Sequence, residues 1–295
     1  MPSSRDIRTG SPDPTPVRGL VFDVQRWSLH DGPGIRTVFF LKGCPLRCAW
    51  CCNPESQNQA PEVGVFPDRC SGCGVCIPVC TRALARPARE GGVADRDACT
   101  GCGECVNACP NQARSVFGAL MSPENVRDAA LRDAPFQRRS GGGVTFSGGE
   151  PFQQPDFLAK CASLCASAGI AVAVETCGVF AWNDAVAALS DIDLVILDIK
   201  HMDPGIHRRL TGKPNDVILE NARRFSRAGI PLLVRTPLIP GCTDDPANVE
   251  AIRAFVGSEL PTAVGHETLP YHELGKGKYS ALGRKYPIAE WQSAM

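Results

Sequence analysis

The chain carries no net charge: 31 Lys and Arg offset 31 Asp and Glu across its 295 residues. That balance leaves no basic stripe for a phosphate backbone and no polybasic face for anionic lipid, so neither nucleic acid nor a membrane surface is expected as partner. No apolar run reaches the roughly 20 residues that a membrane span requires. Residues 1–17 are rich in Pro, Ser and charge and lack the apolar stretch of an export signal, so they read as a disordered arm of a cytoplasmic protein. A reducing compartment disfavours a disulfide framework, and a chain this long buries a core without one.

What the chain has in plenty is cysteine, 16 in all. Cys161, Cys165, Cys177 and Cys242 read as core packing. The others fall into three spaced clusters. The first, Cys44-Pro-Leu-Arg-Cys48-Ala-Trp-Cys51, offers three thiolates on one tight loop, one short of a closed tetrahedral site. Three thiolates can hold a [4Fe–4S] cubane and leave its fourth iron open to a ligand, which makes the loop a candidate reaction centre. A structural zinc would close at four ligands instead.

The second and third clusters repeat one spacing. Cys70-x2-Cys73-x2-Cys76-x3-Cys80 recurs as Cys99-x2-Cys102-x2-Cys105-x3-Cys109-Pro110, the run of bacterial two-cluster ferredoxins. In such runs the fourth cysteine serves the other run's cluster. One cluster is expected on Cys70, Cys73, Cys76 and Cys109, and another on Cys99, Cys102, Cys105 and Cys80. Two zinc knuckles are the alternative. Thr81 stands where a proline usually follows. The functional reading of the segment, about residues 60–115, is an electron relay.

Around that segment the chain alternates apolar strands with helical stretches. Thr37–Lys42, Gly143–Phe146, Ala171–Thr176, Asp193–Lys200, Pro231–Thr236 and Glu267–His272 read as strands. Helices are expected after Pro151 and over 182–189, 217–228 and 248–255. Six strand-plus-helix units argue for a parallel sheet and an incomplete barrel. The three-cysteine loop leaves the C-terminal end of the first strand, where α/β barrels place their chemistry.

With the cysteine loop beside Ser147-Gly148-Gly149-Glu150-Pro151, the chain resembles the radical S-adenosylmethionine (SAM) superfamily. His30-Asp-Gly-Pro-Gly-Ile-Arg-Thr37, Asp198-Ile-Lys200 and Leu269-Pro-Tyr-His-Glu-Leu-Gly275 narrow the resemblance to the glycyl-radical enzyme activating enzymes, from about Leu20 to Tyr286. The resemblance implies a partial (β/α)6 radical SAM barrel over 18–295, interrupted by a ferredoxin-like insert with two [4Fe–4S] clusters. It implies three [4Fe–4S] clusters in all, the catalytic one on Cys44, Cys48 and Cys51. The SAM site it implies comprises Gly148, Gly149 and Glu150 toward the amino group, Lys200 toward the carboxylate, and Trp50 toward the adenine. Asp198, Glu175, Thr176 and His272 complete that site, with a monovalent cation near Asp198. Cys52 stands where many members carry His, and no role is read for it.

The implied activity is reductive cleavage of SAM, whose product takes hydrogen from a glycine of a large glycyl-radical enzyme. The electron would come from a ferredoxin or flavodoxin-type reductant. Given the insert, a dehydratase, decarboxylase or C–N or C–S lyase is expected as partner before pyruvate formate-lyase. Two other readings stand beside this one: radical chemistry on a small molecule, and an electron-transfer protein with an inert barrel. Because the chain stops soon after Tyr286, the barrel's last element is expected to be short or absent.

Overall fold

The computed structural model describes residues 16–288. Nearly all of the expected arm, and the residues after Ile288 on which a short closing element was expected, lie outside them. The strands, in chain order, are β1 (Gly19–Ser28), β2 (Arg36–Leu41), β3 (Glu62–Val65), β4 (Arg114–Phe117), β5 (Ala119–Met121), β6 (Gly143–Gly148), β7 (Ala171–Thr176), β8 (Leu194–Asp198), β9 (Leu232–Leu238) and β10 (Ala263–Pro270). Eight of them form one sheet in the order β10-β9-β8-β7-β6-β2-β1-β5. From β2 to β10 its neighbours run parallel, and these are the six strands that the alternation marks. β1 and β5 add an antiparallel edge that the sequence pattern does not announce.

β6, β7 and β8 are buried on both faces because helices cover one side and the barrel interior fills the other, whereas β10 at the edge is largely exposed. α1 (Glu104–Asn107) lies among the clustered cysteines. α2 (Pro123–Leu131) and α3 (Ala134–Ser140) lead into β6, and α4 (Pro155–Ser167) and α5 (Trp182–Val186) follow β6 and β7. α6 (Pro204–Thr211) and α7 (Asp216–Arg227) connect β8 to β9, α8 (Pro246–Glu259) leads to β10, and α9 (Lys276–Ala281) follows it. Proline opens α2, α4, α6 and α8, where its missing N–H is no loss. Side-chain caps fix the starts: Ser122 and Asn125 form a capping box on α2, and Asp203 accepts from the Ile206 amide at 2.7 Å on α6. α7 shows the usual division, burying Ile218, Ala222 and Phe225 and turning Glu220, Arg223, Arg224 and Arg227 outward into ion pairs. Cys161 and Cys165 of α4 are fully buried in the main core.

The sheet curls. Arg235 on β9 donates to the His30 carbonyl at 2.6 Å, although β8, β7, β6 and β2 stand between β9 and β1 in the sheet order. One cavity is walled both by the loop after β2 and by the end of β10. Among the described residues the sheet nevertheless keeps β10 and β5 as its two ends, so the barrel is open there.

β3 and β4 form a separate antiparallel pair, Glu62 opposite Phe117 and Val65 opposite Arg114, and the eight clustered cysteines lie between them in sequence. The pair is pinned to the barrel. Lys42, buried at the end of β2, reaches Glu62 at 3.3 Å, Arg284 also pairs Glu62, and Arg96 bonds both the Val63 carbonyl (2.9 Å) and that of Ala281 (3.3 Å).

Candidate active site

A cavity of about 230 Å³ opens beyond the C-terminal ends of the parallel strands. Cys44, Cys48, Trp50, Cys51 and Cys52 enter it from the loop after β2, and Ser147, Gly148 and Gly149 from β6. Glu175, Thr176 and Cys177 come from β7, Asp198 and Lys200 from β8, and His272 from the segment after β10. Trp50 also packs with Ala49, Leu210 and Ile239 in a satellite core, so its ring plane is fixed from behind.

The loop thiols differ in character. Burial pushes the Cys48 thiol up to about 12 and raises that of Cys51 and, beside it, Cys52. Cys44 is lowered instead, chiefly by a hydrogen bond from Cys177, against burial. Thiols held protonated by a dry wall ionise when a metal takes the proton's place, and soft sulfur donors suit an iron–sulfur group. Among the described residues, no group of three or more His, Cys, Asp or Glu side chains closes on one metal ion. A cubane needs a wider setting, because each thiolate meets a different iron. The three spaced loop thiols round this hollow fit such a cluster, with Cys52 and Cys177 also on its wall.

Across the cavity Lys200 Nζ lies 2.7 Å from Asp198 Oδ2, the lysine side chain only 6% exposed. Burial works against its ammonium, but Asp198, Cys48 and Cys177 outweigh that penalty and hold the pKa above its ordinary value. A cation is thus kept in an apolar wall, ready for an anion. Glu175 accepts from Ser147 Oγ at 2.6 Å and pairs Arg235 at 3.1 Å. Arg235 also reaches Glu267 at 3.1 Å, so one buried guanidinium ties β7, β9 and β10 together.

Glu150 is the one expected SAM contact absent from the cavity wall. Its fully buried carboxylate turns the other way and accepts from Thr176 Oγ1 (2.7 Å), the Cys177 amide (2.9 Å) and the Phe152 amide (3.1 Å). The glycines before it also have a reason within the protein. Gly148 has φ +108°, and a Cβ on Gly149 would lie 2.2 Å from the Gly43 carbonyl oxygen, beside the cysteine loop. Gly149→Ala should therefore overpack two rigid backbones and lower stability by about 1–3 kcal/mol. A melting temperature equal to that of the native chain would refute this.

The clustered cysteines wall two further hollows. Cys70, Cys73, Cys76 and Cys109 surround one, and Cys80, Cys99, Cys102 and Cys105 the other. Backbone amides point at the sulfurs, Leu84 to Cys80 and Ala113 to Cys109 at 3.3 Å, and Ala88 to Cys70 at 3.4 Å. The Ala88 amide and the Leu84 amide are the main causes that lower Cys70 and Cys80 respectively. β3 runs outward from its ion pairs with the barrel. Val63 borders the Cys80 hollow and Val65, two residues or about 7 Å farther out, the Cys70 hollow.

Two residues of the site escape the sequence reading. Arg235 could have been found by the signal that marks Lys200, a charge inside an apolar strand. Cys177 is buried as expected, 7% exposed, and it also borders the cavity, which the sequence reading did not foresee. Cys242 does pack apolar neighbours, in the satellite core behind Trp50.

An open parallel barrel with a three-thiol loop at its strand ends defines a class, and the radical SAM superfamily matches the chain over residues 38–250. Its relatives are closer still. The chain is 44% identical over 279 residues to the isethionate sulfite-lyase activating enzyme of Nitratidesulfovibrio vulgaris, covering 92% of this chain and 90% of that one. It is 42% identical over 271 residues to the benzylsuccinate synthase activating enzyme of Thauera aromatica, covering 90% and 82%. It is 37% identical over 278 residues to the choline trimethylamine-lyase activating enzyme of Oleidesulfovibrio alaskensis, covering 92% and 89%. The chain belongs to the radical SAM superfamily and, within it, to the glycyl-radical enzyme activating enzymes. Among the described residues no helix is long and apolar enough to cross a membrane.

Proposed function

We propose that this chain cleaves SAM reductively on a cluster held by Cys44, Cys48 and Cys51 and so places a radical on a glycine of a large glycyl-radical enzyme. The observation that carries this reading is a single cavity in which those three thiols share the wall with the Asp198–Lys200 pair and His272. The bound cluster and SAM supply a one-electron cleavage whose product abstracts hydrogen. The rest falls to the chain's own residues. Lys200 pairs the SAM carboxylate, the backbone at Gly148 and Gly149 approaches its amino group, and Trp50 packs its adenine. Asp198, Glu175 and Thr176 hold the ligand and a monovalent cation, and His272 closes the exposed rim. The apolar wall excludes water and stray hydrogen donors, and the open side of the barrel admits a polypeptide loop.

Two more clusters occupy the insert, one on Cys70, Cys73, Cys76 and Cys109 and one on Cys80, Cys99, Cys102 and Cys105, fed by a ferredoxin- or flavodoxin-type reductant. The two four-thiol hollows and the amides aimed at their sulfurs support this reading. If Cys70 and Cys109 share a cluster, the Cys70→Ala, Cys109→Ala double variant loses about four irons. A loss of about eight would overturn the assignment.

The function is tested by reducing the reconstituted protein with SAM and measuring 5′-deoxyadenosine and methionine in equal amounts. A glycyl-radical EPR doublet should then appear only with a test partner such as isethionate sulfite-lyase. Absence of 5′-deoxyadenosine would leave only the electron-transfer reading standing.

A further inference from the structure

The connection after β8 is tied into a closed unit. Lys200 stands two residues beyond the strand, and α6 begins four residues later at Pro204. Asn215 donates from Nδ2 to the His201 and Met202 carbonyls, both at 2.8 Å, so the chain leaving α6 is bound to the chain entering it. The far end of α6 meets the cysteine loop. The Arg47 amide donates to the Thr211 carbonyl at 2.7 Å and the Ala49 amide to the Leu210 carbonyl at 3.1 Å. Two carbonyls that a helix end leaves unpaired thus grip the loop on either side of Cys48.

His207 sets that end. It is fully buried, and its Nδ1 lies 2.6 Å from the Lys213 carbonyl, which can only accept, so Nδ1 carries the proton. The bond folds the chain after Gly212, at φ +89°, back onto the last turn of α6. The Thr211 hydroxyl closes the same turn by donating to the His207 carbonyl at 2.8 Å. Burial lowers the His207 pKa to about 4, so the ring is neutral and Nε2 is a bare acceptor. That atom has no hydrogen-bond partner among the described residues. A buried acceptor without a partner is costly, and an aliphatic side chain would fill the site without that cost. What the imidazole contributes there is its Nδ1 donor.

We propose that His207 is a positioning residue for Cys48. By fixing the end of α6 it sets the Cys48 sulfur against the Lys200 ammonium, which the same closed unit carries at its other end. The inference rests on the reading of Cys48 as a cluster ligand and of Lys200 as the partner of the SAM carboxylate. SAM is then held at once beside the Cys48 loop and by Lys200, so a loop that drifts from Lys200 weakens the double hold.

The experiment compares native, His207→Leu and His207→Asn chains after anaerobic reconstitution with iron and sulfide. The readout is the SAM dissociation constant from equilibrium dialysis against the unreduced chain, where no electron is supplied for cleavage. Leucine fills the site and lacks the donor, whereas asparagine is smaller but places an N–H near the position of Nδ1. Positioning and packing therefore predict opposite orders. Loss of one net hydrogen bond should weaken SAM binding about fivefold in the leucine chain, and the asparagine chain should bind within about twofold of native. A leucine chain with native affinity, or an asparagine chain as weak as the leucine chain or weaker, overturns the proposal. Should the leucine chain fail to fold or to hold iron, the asparagine chain decides: affinity close to native supports the proposal and a weaker one overturns it. A native chain that binds no SAM sinks the functional reading and this inference with it, whereas native binding with unmoved variants sinks only the inference.

Discussion

Replacing Cys48 with alanine is expected to abolish SAM cleavage while leaving the fold and the insert clusters in place. No other thiol on the cavity wall is free to take over. Cys52 follows Cys51 directly, so one short loop cannot present both to separate irons, and Cys177 stands just after β7, off that loop. Iron content should fall by about one third, the share of one cubane in three. The loop thiols stand outside the main core, whose largest fully buried side chains include Phe39, Phe146, Phe152 and Phe225, so the melting transition should persist. Cys105→Ala in the insert provides the contrast. It should remove as much iron yet leave SAM cleavage by a small chemical reductant intact, because the cavity that binds SAM is untouched. The deciding measurements are 5′-deoxyadenosine by chromatography and iron per chain. A Cys48→Ala chain that still cleaves SAM would end the functional reading.

Elements that tertiary contacts do not have to decide were legible in the sequence. β6, β7 and β8 are short, mostly buried runs rich in apolar residues, so no register or partner is needed to recognise them. β4 and β5 are four and three residues long, and only their partners β3 and β1 make them strands. α2 and α3 are only nine and seven residues long, with Pro123 and Pro135 in their first turns, which hid the crossover into β6. The same division runs through the site. The spacing of Cys44, Cys48 and Cys51 constrains their loop whatever the rest of the chain does. Asp198 and Lys200 sit two apart at the end of a buried strand, where an unpartnered charge would be costly. Glu150 reads identically whether its carboxylate faces the cavity or the backbone behind it, and only the fold chooses. Cys177 carries no spacing at all. Arg235 is different, because its charge stood in view within Leu232-Leu-Val-Arg-Thr236. What the sequence lacks is its pair of partners, one on β7 and one on β10.

That pair of partners makes Arg235→Met the second change of large expected effect. The guanidinium is 6% exposed and holds Glu175, Glu267 and the His30 carbonyl across the barrel interior. Methionine matches its bulk and supplies none of its donors. Glu267 is 49% exposed and can turn to water, so its loss counts for little. Glu175, 21% exposed, can do so less, and about 3 kcal/mol, the low end of the cost of removing one partner of a buried pair, is expected. In a chain of this size about 3 kcal/mol lowers the melting temperature by roughly 6–12 °C. The deficit should depend on pH with a definite sign. Burial, and then the Asp198 charge, already push the Glu175 carboxyl above its usual range, and Arg235 pulls it back. Without Arg235 it rises further, so the folded variant binds more protons than the unfolded chain between the two pKa values. Stability then falls as pH rises through that window, and the gap to the native chain is widest near neutrality and narrows in mild acid. Adding Glu175→Gln to Arg235→Met removes the stranded charge and should recover part of the lost stability. Thermal melts of the single and double variants at two pH values test the account. A single variant equally destabilised at both, with no recovery in the double, would mean that Arg235 acts by packing and that the ion pair to Glu175 contributes nothing of its own.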